Sequence, residues 1–195
     1  DDAALVKLRR HRNDWYVRHA RRLLHERTAA GTDMSDAIEQ LHEMFASHDD
    51  VTRKLRALWA LRVVNGLDDE FLLRQLDHEN DYIRGWSVRL LCEDRDPPPA
   101  ALEKFADLAA AGDSPLVRLQ ISSAMQRLPA AQRWPIVEAL CSREDDADDA
   151  NLPLMNWYAA EPLIEDDLPR FVDLASTAKL PIIQRHVARR IAESE

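Results

Sequence analysis

The sequence predicts an all-α protein, a right-handed α-solenoid of about six helical hairpins forming one domain over residues 1–195. The composition is the first sign: 4 Gly stand against 10 Pro, with 46% apolar and 31% charged residues, so the Gly turns and Val, Ile and Thr runs of a strand-rich chain are missing. Apolar residues recur at helical spacing throughout, as in Val17, Ala20, Leu24 or Ile83, Trp86, Leu90. The third sign is a repeated start. Asn13-Asp14-Trp15-Tyr16-Val17-Arg18, Asp49-Asp50-Val51-Thr52-Arg53, Asn80-Asp81-Tyr82-Ile83-Arg84 and Asp113-Ser114-Pro115-Leu116-Val117-Arg118 each open an amphipathic run, with arginines at spacings of 35, 31 and 34.

Each element has a local reason. Asn, Asp or Ser before a run caps free helical N–H groups, and acidic charge suits a helix N-terminus. Pro115 and Pro181 fit a first turn, where a missing N–H costs nothing. Two later starts, Leu152-Pro153-Leu154-Met155-Asn156 and Leu180-Pro181-Ile182-Ile183-Gln184, keep the proline but lose the arginine. Partner helices are expected over 35–47, 69–77, 99–111, 130–141 and 167–178. Gly31 and Gly66 read as left-handed C-caps, Pro97-Pro98-Pro99 as a stiff connector opening the helix at 99, and Pro135 as a start or kink at Trp134. A single hairpin cannot bury its apolar stripe; stacking against neighbours does.

The formal charge of −9 argues against general nucleic-acid binding. It is uneven: residues 1–27 hold eight Lys/Arg against four acids, a net of +4, which leaves −13 for the remainder. No apolar stretch reaches 18 residues, so no direct membrane insertion is expected, and the start lacks the basic and apolar regions of a signal peptide. The chain begins and ends inside helical pattern and reads as a segment of a longer multidomain protein.

No nucleotide or nucleophile motif is present. Cys92 and Cys141 lie near helix ends without CxxC, CxxCH or histidine pairing and read as buried hydrophobes. The histidines never take the i,i+4 spacing of a helical zinc site, so no metal, cofactor or catalytic residue is nominated. The acidic loop Arg143–Ala150 lacks the Gly and distal Glu of a calcium loop and reads as solvated. Trp59 and Trp86 lie in phase with the apolar stripe and read as packing. Two aromatic clusters fit packing less well: Trp15 and Tyr16 beside Arg18, His19 and Arg22, and Trp157 and Tyr158 beside Asn156 and Glu161. Aromatic and Arg residues dominate interface anchors. The candidate interaction residues are therefore Arg9, Arg10, Arg12, Trp15, Tyr16, His19 and Arg22 at the basic end, with Asn156, Trp157, Tyr158 and Glu161.

The units resemble HEAT repeats, in which an Asp near the turn and an Arg in the second helix form a stacked ladder. Asp14/Arg18, Asp50/Arg53 and Asp81/Arg84 match that pair; Ser114/Arg118 matches it with Ser for Asp, and the starts at Asn156 and Gln184 depart from it. Three stretches, Asn13–Leu24, Leu128–Ile136 and Asn151–Leu163, are similar in content and order to the HEAT-repeat region of planctomycete-type membrane-bound dehydrogenases. That family joins a propeller resembling sugar dehydrogenases to a C-terminal c-type cytochrome. The resemblance implies a non-catalytic scaffold that positions those neighbouring domains, with protein partners inside the parent, haem c in a neighbour and a periplasm-like location. Two other readings of the fold are a free-standing HEAT adaptor and a HEAT-like DNA glycosylase. The acidic body, with a basic patch at one end only, weighs against the glycosylase.

Overall fold

A computed structural model describes residues 1–192, which are all-helical with no strand among them. The helices are α1 (Asp2–Leu8), α2 (Asp14–Ala29), α3 (Ser35–Ser47), α4 (Val51–Val63), α5 (Asp69–Gln75), α6 (Asp81–Leu91), α7 (Pro99–Ala111), α8 (Pro115–Met125), α9 (Ala130–Cys141), α10 (Leu152–Ala160), α11 (Leu168–Thr177) and α12 (Pro181–Ala192). They form two compact units, 1–68 and 69–195. Formal charge divides along the same boundary. The first unit carries 12 Lys/Arg against 11 Asp/Glu (+1), and the second 14 against 24 (−10), which together recover −9.

In the first unit α1 packs on α2 and α3, α3 on α4, and α2 on α4. Leu24, Leu41, Met44, Leu58 and Leu61 are fully buried between them. In the second unit one layer runs α6 on α8, α8 on α10 and α10 on α12, while α7 packs on α9 and α9 on α11. Helices thus meet the helix two along the chain as well as the next one, which is the packing of a helical repeat. Ile83, Phe105, Ile121, Met125, Phe171 and Ile183 form the core of this unit.

The starts behave as their side chains dictate. The side chains of Asn13, Asp50 and Asn80 accept from the backbone N–H two residues on, at 2.9, 2.8 and 3.1 Å. Ser114 Oγ accepts from Val117 N–H, and Asp167 caps α11 from Arg170 N–H at 3.0 Å. Asn151 makes no side-chain cap for α10; Asp149 replaces it, accepting from Asn151 and Leu152 N–H at 2.8 and 2.9 Å.

Three expectations are corrected. Gly31 takes the left-handed conformation (φ 77°), but after α4 that conformation falls on Asn65 (φ 57°), not on Gly66. Gly66 is small for another reason: a Cβ there would lie 3.0 Å from Ile38 Cγ1 and Leu61 Cδ2. Pro135 does not start a helix, since α9 begins at Ala130 and runs through it, which leaves of that expectation only a kink. Its missing N–H deprives only the Ala131 carbonyl of its i+4 donor. The acidic loop is not wholly solvated either, because Asp146 is 1% exposed within a 3₁₀ turn, Glu144–Asp146.

Candidate functional site

The aromatic end of α2 is an exposed, internally ordered cluster. Asn13 fixes the helix start, which places Trp15, Tyr16 and His19 within its first turns. Trp15 is 57% and Tyr16 42% exposed. The Trp15 ring stacks on His19 with centroids 3.8 Å apart, and His19 Nδ1 donates to the Trp15 carbonyl at 3.0 Å. Tyr16 meets Trp15 edge-on at 5.0 Å and His11 at 4.6 Å. Arg10, Arg12 and Arg22 are exposed nearby in sequence, and Arg22 reaches Glu26 at 3.4 Å. A large rigid aromatic surface beside guanidinium groups is the composition of an interface anchor.

Arg9 does not belong to that surface. It is 1% exposed and donates to the Val17 carbonyl through Nη1 and to the Arg56 carbonyl through Nη2 at 2.7 Å. Burial first, then the like charges of Arg21 and Arg56, push its pKa down to about 9, against a smaller upward pull from Asp14. It therefore remains a cation at neutral pH, held by backbone carbonyls. Arg56 extends the arrangement, donating to the His11 carbonyl at 3.0 Å and pairing with Asp14 at 3.3 Å.

The second sequence cluster divides by helix face. Asn156 is fully buried, and neither of its amide atoms is hydrogen-bonded among the described residues. Trp157 is also buried, against Phe171 and edge-on to His186 with centroids 5.0 Å apart. Tyr158 is 44% exposed. Glu161 is half-buried, 3.8 Å from Arg190, and with Trp157 and His186 lines a cavity of about 250 Å³. Successive helical residues point about 100° apart, and here Trp157 turns inward while Tyr158 turns to solvent.

The ladder residues form two patterns. Asp14–Arg18 at 2.5 Å and Asp50–Arg53 at 3.3 Å are pairs within one helix start, and the Arg18 side chain is 76% exposed. In the second unit the rungs pass to the next repeat, as Asp14 also does in the first through Arg56 at 3.3 Å. Arg84 pairs with Asp113 at 2.9 Å, and Asp81 accepts from Ser114 Oγ at 3.0 Å. Arg118 makes a bidentate bond to Asp146 at 2.7 and 2.5 Å, both side chains almost fully buried. Asn156 occupies the position in its start that Arg118 occupies in the preceding one, and the rung is absent there.

Sequence reasoning missed a further element of three starts. His11, His48 and His78 each stand two residues before the capping Asx and accept through Nδ1 from its backbone N–H, at 3.0, 3.0 and 2.9 Å. The signal was legible as His-x-Asn/Asp recurring at three starts.

Both thiols are buried, and burial pushes Cys92 and Cys141 up to about 12, with Glu138 adding to the rise at Cys141. Among the described residues no group of three or more His, Cys, Asp or Glu is arranged to hold a metal ion, and no helix is long and apolar enough to cross a membrane.

No family model matches the chain, and no curated protein matches it. Among solved structures, the crystal structure of an engineered protein from a structural genomics consortium is similar over 98% of this chain and 97% of that one, with a TM-score of 0.50 and 18% identity. At that identity the likeness speaks to the fold alone.

Proposed function

We propose that the chain is a non-catalytic protein-interaction segment, a right-handed α-solenoid of about six HEAT-like hairpins that docks an acidic protein surface through the start of α2. The observation that carries this reading is the exposure of Trp15 and Tyr16, 57% and 42%, in a cluster ordered by His11 and His19 and flanked by Arg10, Arg12 and Arg22. Anchors of this kind dominate binding energy, while the flanking charges set on-rate and salt dependence. Tyr158 and Glu161 contribute a smaller contact, and Arg9 supports the patch from within. The resemblance to the helical region of membrane-bound dehydrogenases names the first partners to test: the propeller and the c-type cytochrome domain of one parent protein in the cell envelope. There the segment would hold the two domains at a distance suited to electron transfer, with haem c bound by the neighbour.

The experiment has two parts. Reading the frame past Glu195 for a CxxCH decides the redox setting, and its absence leaves an adaptor whose partner lies elsewhere. Flanking domains encoded in that frame are then titrated with the chain by calorimetry at low and high salt. Trp15→Ala with Arg12→Glu and Arg22→Glu should weaken binding at least about tenfold and flatten its salt dependence. Unchanged affinity in that variant would remove the patch from the interface.

A further inference from the structure

A second surface, of opposite charge, lies wholly in the acidic unit. α7 and α9 pack side by side, and between them runs an open groove of about 500 Å³. Its lining is mostly apolar: half-buried Leu102 and Ala106, one turn apart on α7, and exposed Ala131 and Pro135, one turn apart on α9, with buried Ile136 and exposed Gln132. Glu103 and Asp107 line the same groove from α7 at i,i+4 spacing, so their carboxylates stack along the helix. Both are exposed, neither makes an ion pair among the described residues, and no cation lines the groove. Pro135 adds an acceptor, because without its N–H the Ala131 carbonyl has no helical donor.

An apolar lining, two unpaired carboxylates and a released carbonyl ask for a partner that offers apolar contact, donors and positive charge. The surrounding unit, at −10, excludes nucleic acid and anionic membranes as occupants. Two exposed carboxylates fall short of a cation site, for which no third ligand is in place. α7 has 13 residues and is about 20 Å long, which matches the contact length of one short helix. We infer that the α7–α9 groove is the docking site for a basic amphipathic helix of a protein partner, its small apolar seam on Leu102, Ala106, Ala131 and Pro135 and its Lys or Arg side chains on Glu103 and Asp107. This site lies in the second unit and the α2 surface in the first, and its test does not depend on that one.

The probe is a fluorescein-labelled amphipathic peptide of about 14 residues, one face Leu and Ala and the flank Lys at i,i+4 spacing, followed by anisotropy on the whole chain. Saturable binding is expected, lost in a peptide with Glu for each Lys. Glu103→Lys with Asp107→Lys should weaken it at least tenfold and reduce its salt dependence. Ala131→Trp, at an exposed helical position, should block the groove with the helical circular dichroism unchanged and weaken binding equally. Failure of the Lys peptide to saturate overturns the proposal. So does equal binding to the Ala131→Trp chain, which would mean that the acidic body attracts the peptide without the groove.

Discussion

Arg9 in the N-terminal unit and Arg118 in the C-terminal unit are both withdrawn from water, at 1% and 2% exposure, and each is held by different chemistry. Arg118 meets a carboxylate, Asp146, that is itself buried and lies 28 residues on. Arg9 meets carbonyls, one on α2 and one on α4, and its nearest fixed charges are mostly of its own sign. A buried guanidinium can thus be neutralised or merely solvated. The two cases respond unequally to losing one member. Removing a counter-charge strands a cation, whereas removing a cation that sits on carbonyls leaves only neutral acceptors unmet.

The largest effect should come from breaking the neutralised case. Asp146→Ala is expected to destabilise by about 3–5 kcal/mol, and Arg118→Met with Asp146→Leu should return most of the loss. Urea unfolding measures both, with Asp145→Ala, whose side chain is 84% exposed, as the control. If Asp146→Ala behaves like the control, the buried pair carries no such role. The free thiols, both in the second unit, read the same event, since Asp146→Ala should raise their rate of labelling in native buffer. An unchanged rate would mean that this unit opens independently of the pair.

Next comes the solvated case. Arg9→Met should cost about 1.5–3 kcal/mol, while Arg10→Met, its exposed neighbour in the same basic run, should change little. Similar melting curves for the two variants would return Arg9 to the surface.

The units agree in their caps. Asn13→Ala in the first and Asn80→Ala in the second should each cost about 1 kcal/mol, and unequal costs would show that the cap geometry is not equivalent.

The smallest effect is acidic. Backbone N–H groups hold the Asp50 and Asp149 carboxyls below their ordinary 3.8. Because the folded value is the lower one, their contribution is complete above pH 3.8 and is lost as pH falls through the lowered value. Asp50→Asn and Asp149→Asn should flatten the stability profile in that window, and an unchanged slope would assign the acid sensitivity to other groups.

The helix starts were legible because Asn, Asp, Ser and Pro act within two or three residues of themselves. The partner helices were legible because periodicity is also local. Burial within a charge run was not. Lys7, Arg9, Arg10 and Arg12 look alike on paper, and what distinguishes Arg9 is the Arg56 carbonyl, 47 residues away. Asp146 is hidden in the same way among five acids, and only Arg118 selects it. The ladder residue types were readable, but the partners were not. An Arg three residues after an Asp can close on it, as Arg53 does, or reach the next loop, as Arg84 does. The pairing of Trp157 with Tyr158 as a surface cluster failed because Trp157 packs on Phe171 and His186, residues from later helices that the dipeptide does not reveal.

The rungs of the second unit carry a consequence for how such a chain can be edited. Arg84 and Arg118 are each completed by an acid belonging to the following turn of the array, and Asp81 in turn receives the hydroxyl of Ser114. No single hairpin contains both halves of its own bond. Copying or deleting one whole period keeps donor and acceptor matched, because the same half-bond is presented at either side of the cut. A cut elsewhere, such as one ending the chain between Met125 and Arg143, leaves Arg118 on the Gly112 carbonyl without its counter-charge. Gain and loss of repeats in this unit is therefore quantised, with Asp113 and Asp146 as the joints at which lengths can change.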